Sequence, residues 1–247
     1  MINLAKLVRS GAAIGSMGVG FATGAAVGLV NRDRQAGANV AATVGSSLSL
    51  ALAGIHLEIQ GEENAWAARP AIFVFNHQSQ LDVPIVAAVL KEDFTGVAKK
   101  SLEANPIFGP IGKLGGVAFI DRTDPAAARA ALQPVVDNLR AGISIAVAPE
   151  GTRSLDLGPF KKGPFHMAIQ GGVPMVPIVI RNAGQIMAPH SYVVNPGTVQ
   201  VVVLPPIDTS QWSSEMVEQH RDQVWQLFRD TLDDWPGSPS AGGSTEP

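Results

Sequence analysis

The chain contains no cysteine, which removes disulfides, thiolate nucleophiles and cysteine–zinc sites together. Charge is scarce as well. Charged residues make up 16% of the chain, against about 25% in a typical soluble domain. Apolar residues make up 46%, and the balance points to a protein associated with a membrane. A net charge of −3 supplies no global basic field for nucleic acid. No Gly-x-Ser-x-Gly elbow occurs anywhere, so with cysteine also missing an acyl-enzyme intermediate is not favoured. No cluster of ligand residues marks a metal site.

What is present begins with length. At 247 residues the chain is long enough to bury a core, as one large domain or two small ones. Its first 57 residues stand apart. Between Arg9 and Arg32 there is no charge for 22 residues, and between Arg34 and His56 there is none for 21. About 20 apolar residues in a helix span a bilayer core. These stretches are rich in Gly and Ala, and Gly11/Gly15, Gly20/Gly24 and Gly24/Gly28 each carry the Gly-x-x-x-Gly spacing of close helix–helix approach. With Asn31-Arg32-Asp33-Arg34 as a polar turn, the segment reads as a helical hairpin.

Four accounts compete for the hairpin: a cleaved signal peptide, two true spans, a monotopic hairpin in one leaflet, and a soluble packing layer. A second apolar stretch argues against a signal peptide. Two spans would put the Arg-rich turn on the far side, against the positive-inside tendency. The monotopic hairpin, anchored by Lys6, Arg9, Arg32 and Arg34, is the preferred reading. The glycines from Gly18 to Gly24 do not form a dinucleotide loop, because the spacing is one residue too long and no strand precedes them.

From residue 55 to 206 short apolar runs alternate with helical stretches. Strands are expected at 55–60, 72–75, 96–98, 117–120, 144–148, 176–180 and 199–204, and helices at 83–90, 125–140 (opened by Asp124) and about 164–170. Strands interleaved with helices argue for an α/β fold, a mixed sheet flanked by helices, preceded by the membrane-associating hairpin.

Several strand ends carry polar residues. After the apolar run 71–75 comes Asn76-His77-Gln78-Ser79-Gln80-Leu81-Asp82. Histidine titrates near neutrality, and a carboxylate within reach fixes its tautomer and stabilises the imidazolium. Asp82 also suits an N-cap, with Pro84 in the first turn, so a simple helix start is the competing reading. The strand at 117–120 runs into Asp121-Arg122: a surface ion pair, or an arginine reaching for phosphate from a rigid strand end. Lys99, Lys100 and Lys113 lie upstream, as a solvated charged face or as part of the same site. The strand at 144–148 runs into Glu150-Gly151-Thr152-Arg153, either a plain tight turn or an anion nest with added donors. Lys161 and Lys162 follow. Val173-Pro174-Met175-Val176-Pro177 carries no polar chemistry and forms a core or pocket wall. His56, His166, His190 and His220 belong to no comparable constellation.

These four segments, in this order, resemble the glycerolipid acyltransferase family, whose best-known members are the 1-acylglycerol-3-phosphate acyltransferases. Asn76, His77, Ser79 and Asp82 match its N-H-x-S-x-x-D motif. Gly116, Phe119, Ile120, Asp121 and Arg122 match G-x-x-F-I-D-R, approached through Lys100-Ser101-Leu102 and Asn105 to Gly109. Glu150 to Arg153 match E-G-T-R, and Val173 to Pro177 match the V-P-hydrophobic-hydrophobic-P pattern. The resemblance covers about residues 55–206.

It implies acyl transfer from a thioester to the free hydroxyl of 1-acylglycerol 3-phosphate, giving phosphatidic acid. In that scheme His77 is the general base, Asp82 orients it, and Lys100, Arg122, Glu150, Gly151, Thr152 and Arg153 bind the acceptor's phosphate. The donor, acyl-CoA or acyl carrier protein, is a substrate, and neither cofactor nor metal is expected. The partners are lysophosphatidic acid, the acyl thioester and a membrane surface, without nucleic acid. Rival readings are acylation of glycerol 3-phosphate or another lysophospholipid, thioester hydrolysis by water, and a non-catalytic lipid-binding scaffold. The Ala/Gly/Val bias suggests a bacterial chain, on the cytoplasmic face of the inner membrane. The expected organisation is hairpin 1–57, acyltransferase domain 58–235 and tail 236–247. At the C-terminus, 213–234 reads as an amphipathic helix capped by Ser213 or Ser214 and packed through Val217, Val224, Leu227 and Phe228. The Pro/Gly/Ser-rich tail is expected to be disordered.

Overall fold

The structure is a computed structural model and describes residues 4–105, 108–120 and 133–236. It opens with helices α1 (Leu4–Asn31) and α2 (Arg34–Ala53). Then come β1 (Ile55–Gln60), α3 (Asn64–Ala67), β2 (Ile72–Phe75), α4 (Asp82–Leu90), β3 (Phe94–Lys99) and a 3₁₀ turn at Lys100–Leu102. The order continues with α5 (Phe108–Leu114), β4 (Ala118–Ile120), α6 (Gln133–Arg140), β5 (Ser144–Val147), α7 (Gly163–Gly171), β6 (Met175–Ile180), α8 (Ala183–Ile186), β7 (Gly197–Val203) and α9 (Val217–Asp233). Every expected strand is present, with ends shifted by two residues at most. The start of the 125–140 helix, with Asp124, lies outside the described residues, as do Asp121, Arg122 and the tail from 237 onward.

Among the described residues, seven strands form one mixed sheet in the order β1-β7-β6-β2-β5-β3-β4. The run β6-β2-β5-β3-β4 is parallel throughout. β7 pairs antiparallel to β6, and β1 pairs parallel to β7. The hairpin therefore ends at Gly54. Residues 55–57, grouped with the hairpin by the sequence reading, instead begin a sheet strand, because Ile55, His56 and Leu57 pair with Gly197, Thr198 and Val199.

β2, β5 and β6 are buried on both faces, which is why they read as unbroken apolar runs. β2 shows how alternation serves two cores. Phe73 and Phe75 point into one, with Ile85, Val89 and Leu90 of α4 and Leu50 and Ala53 of α2. Ile72 and Val74 point into the other, with Leu139 of α6, Phe165 of α7, and Val217, Val224 and Phe228 of α9. Of the face expected for the last helix, Val217, Val224 and Phe228 are thus core residues, whereas Leu227 is half-buried and outside this cluster. The helix start differs from expectation: Met216 occupies the cap position with no side-chain bond, so neither Ser213 nor Ser214 caps α9.

α1 and α2 pack through glycine. A Cβ on Gly20 would lie 2.5 Å from the Gly45 backbone, and one on Gly24 would lie 2.3 Å from the Gly37 carbonyl oxygen. Gly11 and Gly15, which share the same spacing, face open space and take no part in this contact. Asp33 caps α2, its Oδ1 accepting the N–H groups of Gln35 and Ala36. The outer side of the hairpin exposes Leu4, Leu7, Val8, Ile14, Val19, Leu29 and Val30. Both helices are long and apolar enough, by length and composition, to cross a membrane.

Candidate active site

The parallel run of strands brings the polar segments to one edge. Asn76 and His77 follow β2, Glu150 follows β5, Lys100 follows β3, and Ile180 ends β6. All are carboxyl ends of parallel strands, the edge at which open α/β sheets place their sites. β3 lies between β5 and β4, so Lys100 leaves the sheet between the two strands whose ends carry Glu150 and Ile120.

The centre is a dyad. His77 Nδ1 stands 2.7 Å from Asp82 Oδ2. Asp82 is fully buried, while the His77 side chain keeps 14% exposure, enough to be met from outside. The same Asp82 oxygen accepts the Ser79 N–H at 2.7 Å. Asp82 is therefore not the N-cap that its position suggested. It is the first residue of α4, with Leu81 in the cap position, and its carboxylate turns back onto the loop. Burial pushes the Asp82 carboxyl above its usual range, opposed by the His77 ring and the Ser79 N–H. The Phe75 ring meets the imidazole edge-on at 5.9 Å.

The loop bearing His77 is held on every side. Asn76 donates from Nδ2 to the Ile180 carbonyl and accepts the Ile180 N–H at Oδ1, both at 2.7 Å. Ser79 Oγ donates to the Met187 carbonyl and accepts the Leu81 N–H. The His77 carbonyl accepts the Ser154 N–H at 2.9 Å, which ties the dyad loop to the segment after β5. The His77 N–H donates to Glu150 Oε1 at 2.6 Å. Asn76 and Ser79 were visible in the sequence as motif positions. Their bonding partners, 104 and 108 residues away, were not.

Glu150 requires a correction. The resemblance implies that it binds phosphate, yet it is 4% exposed and both its oxygens accept backbone N–H groups, from His77 and, at 2.7 Å, from Gly158. Buried, with both oxygens engaged by backbone N–H groups, the carboxyl group is not presented to an incoming anion. Burial, reinforced by the nearby Asp82 charge, pushes its pKa up to about 7 against the pull of the two N–H groups.

The neighbours of Glu150 fit the anion role better. Gly151 takes the left-handed conformation (φ 73°) that lets the backbone turn sharply. Thr152 is exposed. Arg153 follows, half-buried, with a buried Nε that has no hydrogen-bond partner. Lys100 is exposed and paired with Glu103 at 2.5 Å. Among the described residues, no group of His, Asp and Glu is placed to hold a metal.

Directly after Asp82, Val83 and Pro84 line an apolar cavity of about 160 Å³ between the hairpin, α4 and the β3–β4 edge. Met17, Phe21, Ala41 and Phe94 form much of its wall.

A His–Asp dyad on this sheet edge, its aspartate buried, with the Gly151–Arg153 turn beside it and an apolar cavity behind it, is equipment suited to an acyl-transfer enzyme. The chain matches the acyltransferase family model over residues 56–181, and it belongs to that family. A 1-acyl-sn-glycerol-3-phosphate acyltransferase of Saccharomyces cerevisiae is 35% identical over 78% of this chain, a match spanning 65% of the yeast protein and so just under two thirds of its length. The protein of that name from Salmonella typhimurium is 36% identical over 68% of this chain and 69% of its own. Among solved structures, the 1-acyl-sn-glycerophosphate acyltransferase PlsC from Thermotoga maritima superposes with a TM-score of 0.71 at 25% identity, covering 85% of this chain and 84% of that one.

Proposed function

We propose that the chain transfers an acyl group from an acyl thioester to the free hydroxyl of 1-acylglycerol 3-phosphate, producing phosphatidic acid. The His77–Asp82 contact is the observation that carries this reading. With Nδ1 committed to Asp82, the ring presents Nε2 to the acceptor. Nε2 removes the hydroxyl proton as the oxygen attacks the thioester carbonyl. The tetrahedral intermediate collapses, the thiolate leaves, and the imidazolium returns the proton to it. Asp82 stabilises the transient charge and holds the tautomer.

Magnitudes divide the work. General base catalysis contributes about 10²–10⁴-fold, and holding two reactants in line contributes about 7–11 kcal/mol. Positioning is the larger effect, and the acceptor's phosphate is its handle. We assign the phosphate to Arg153 with the Thr152 hydroxyl, and to Lys100 beyond the end of β3; Arg122, which the resemblance implies for the same role, lies outside the described residues. The unpartnered Nε of Arg153 supports this. The cavity behind Asp82 accepts the acyl chain, and no cofactor enters, since acyl-CoA or acyl carrier protein brings the activated group.

Hairpin geometry supports a membrane site. Its inner residues line the cavity and its outer residues expose apolar side chains, so a hairpin lying in one leaflet sets the cavity against the lipid from which the acceptor comes. Because thioester donors are cytoplasmic, the cytoplasmic leaflet is the surface we assign. Mass spectrometry of products tests the reading, using acyl-CoA with 1-acylglycerol 3-phosphate, glycerol 3-phosphate, larger-headed lysophospholipids, or no acceptor. Phosphatidic acid formed fastest from 1-acylglycerol 3-phosphate supports it. Free fatty acid at the same rate without acceptor contradicts it.

A further inference from the structure

Gly158 is bonded on both sides. Its N–H donates to Glu150 Oε2 at 2.7 Å, and its carbonyl accepts the indole N–H of Trp225 at 3.0 Å. The other Glu150 oxygen holds the His77 N–H. An unbroken path of three hydrogen bonds thus runs from α9, through the loop after β5, to the backbone of the base. We infer that Trp225 is a positioning residue for His77, acting through Gly158 and Glu150.

α9 lies wholly beyond residues 56–181, the part matched by the family model, so the contribution comes from outside the segment that carries the motifs. Its geometry suits a brace. Val217, Val224 and Phe228 fix the helix in the core, and Phe228 packs edge-on against Phe160 of the same loop at 5.2 Å. Lys162, at the end of that loop, pairs with Glu218 of α9. Trp225 is half-buried and reaches the loop from this rigid base. Gly158 is the residue type the link needs, since a Cβ there would meet Glu150 Oε2 at 3.0 Å. The loop between residues 151 and 162 has no regular structure of its own, so such ties set its shape, and through Glu150 they set where the His77 backbone sits.

The inference rests on His77 being the base, and the experiment separates the two claims. Trp225→Phe keeps the ring and removes one donor. Loss of one such bond lowers kcat about five-fold, leaves both KM values unchanged, and speeds amide exchange in 76–82 and 150–158. Val199→Ala, a core truncation in β7 away from α9 and the path, is the stability control: it lowers the melting temperature and leaves kcat unchanged. In a Glu150→Ala background, where the path is already cut, Trp225→Phe has no further effect on kcat. An unchanged kcat in Trp225→Phe, an equal drop in Val199→Ala, or a full additional drop in the Glu150→Ala background overturns the inference. His77→Ala is measured alongside. If it stays active, the base assignment fails by itself, whatever the exchange pattern of Trp225→Phe.

Discussion

Asn76 holds Ile180 by both ends of one amide, donating to its carbonyl and accepting its N–H at 2.7 Å each. The bond pair closes the β2–β6 ladder just past its last paired residues, Phe75 and Ile178. It also fixes the backbone immediately before His77. Replacing Asn76 with Ala leaves a buried N–H and a buried carbonyl without partners. Asn76→Ala should lower unfolding free energy by about 2–4 kcal/mol. Urea melts measure this, and a change below about 0.5 kcal/mol, as at an ordinary surface position, would mean that water replaces the amide.

Arg153 has a buried Nε with no partner. If that donor waits for phosphate, Arg153→Ala raises the KM for 1-acylglycerol 3-phosphate at least about ten-fold and the KM for the thioester much less. Steady-state kinetics in both substrates decide the matter. Equal effects on the two would detach Arg153 from the acceptor.

The carboxyl of Glu150 is raised by burial to about 7 in the folded chain, from an ordinary 4.5. Between those values the folded chain keeps a proton that the unfolded chain has released. This group's contribution to stability is therefore complete below about 4.5 and is lost as pH rises through about 7. The stability difference between wild type and Glu150→Gln should shift by about 3 kcal/mol in favour of wild type on going from about pH 8 to about pH 4.5. Asp82 titrates in the same sense but is present in both proteins. A difference that stays flat with pH would show that Glu150 titrates at its ordinary value.

The hairpin offers an internal comparison. Gly24→Leu forces a side chain into the Gly37 backbone and Ala41, whereas Gly11→Leu projects into open space. The first should unfold the hairpin packing at a cost of about 1–3 kcal/mol or more. The second should be neutral or slightly stabilising, since Leu is the better helix former. Thermal melts with vesicle co-sedimentation read both effects. Matching losses in the two variants would remove the glycine contact as what holds the hairpin closed.

Much of this was legible in the chain. Strands buried on both faces appear as plain apolar runs, so β2, β5 and β6 could be placed to within a residue or so. The dyad was legible because His77 and Asp82 are five residues apart at a strand end. Roles that depend on distant partners were not. Asp82 has the credentials of an N-cap, and only the tight loop shows that its carboxylate faces backward. Glu150 sits in a segment rich in anion donors, and nothing local reveals that backbone N–H groups of residues 77 and 158 occupy both its oxygens. The cavity wall is drawn from large and small apolar residues scattered over α1, α2, α4, β3 and the segment before β4, a set that no periodicity picks out. Trp225 gave no signal beyond lying on an amphipathic helix, because its partner is a backbone carbonyl 67 residues away.

The turnover of His77→Ala with acyl-CoA and 1-acylglycerol 3-phosphate, compared with wild type at equal folded fraction, probes the chemistry most directly. General base catalysis by His77 predicts a kcat lower by at least about 10³-fold with the circular dichroism spectrum and melting temperature preserved. A folded variant that keeps about a tenth of wild-type kcat would contradict it, since a general base commonly contributes at least about 10²-fold.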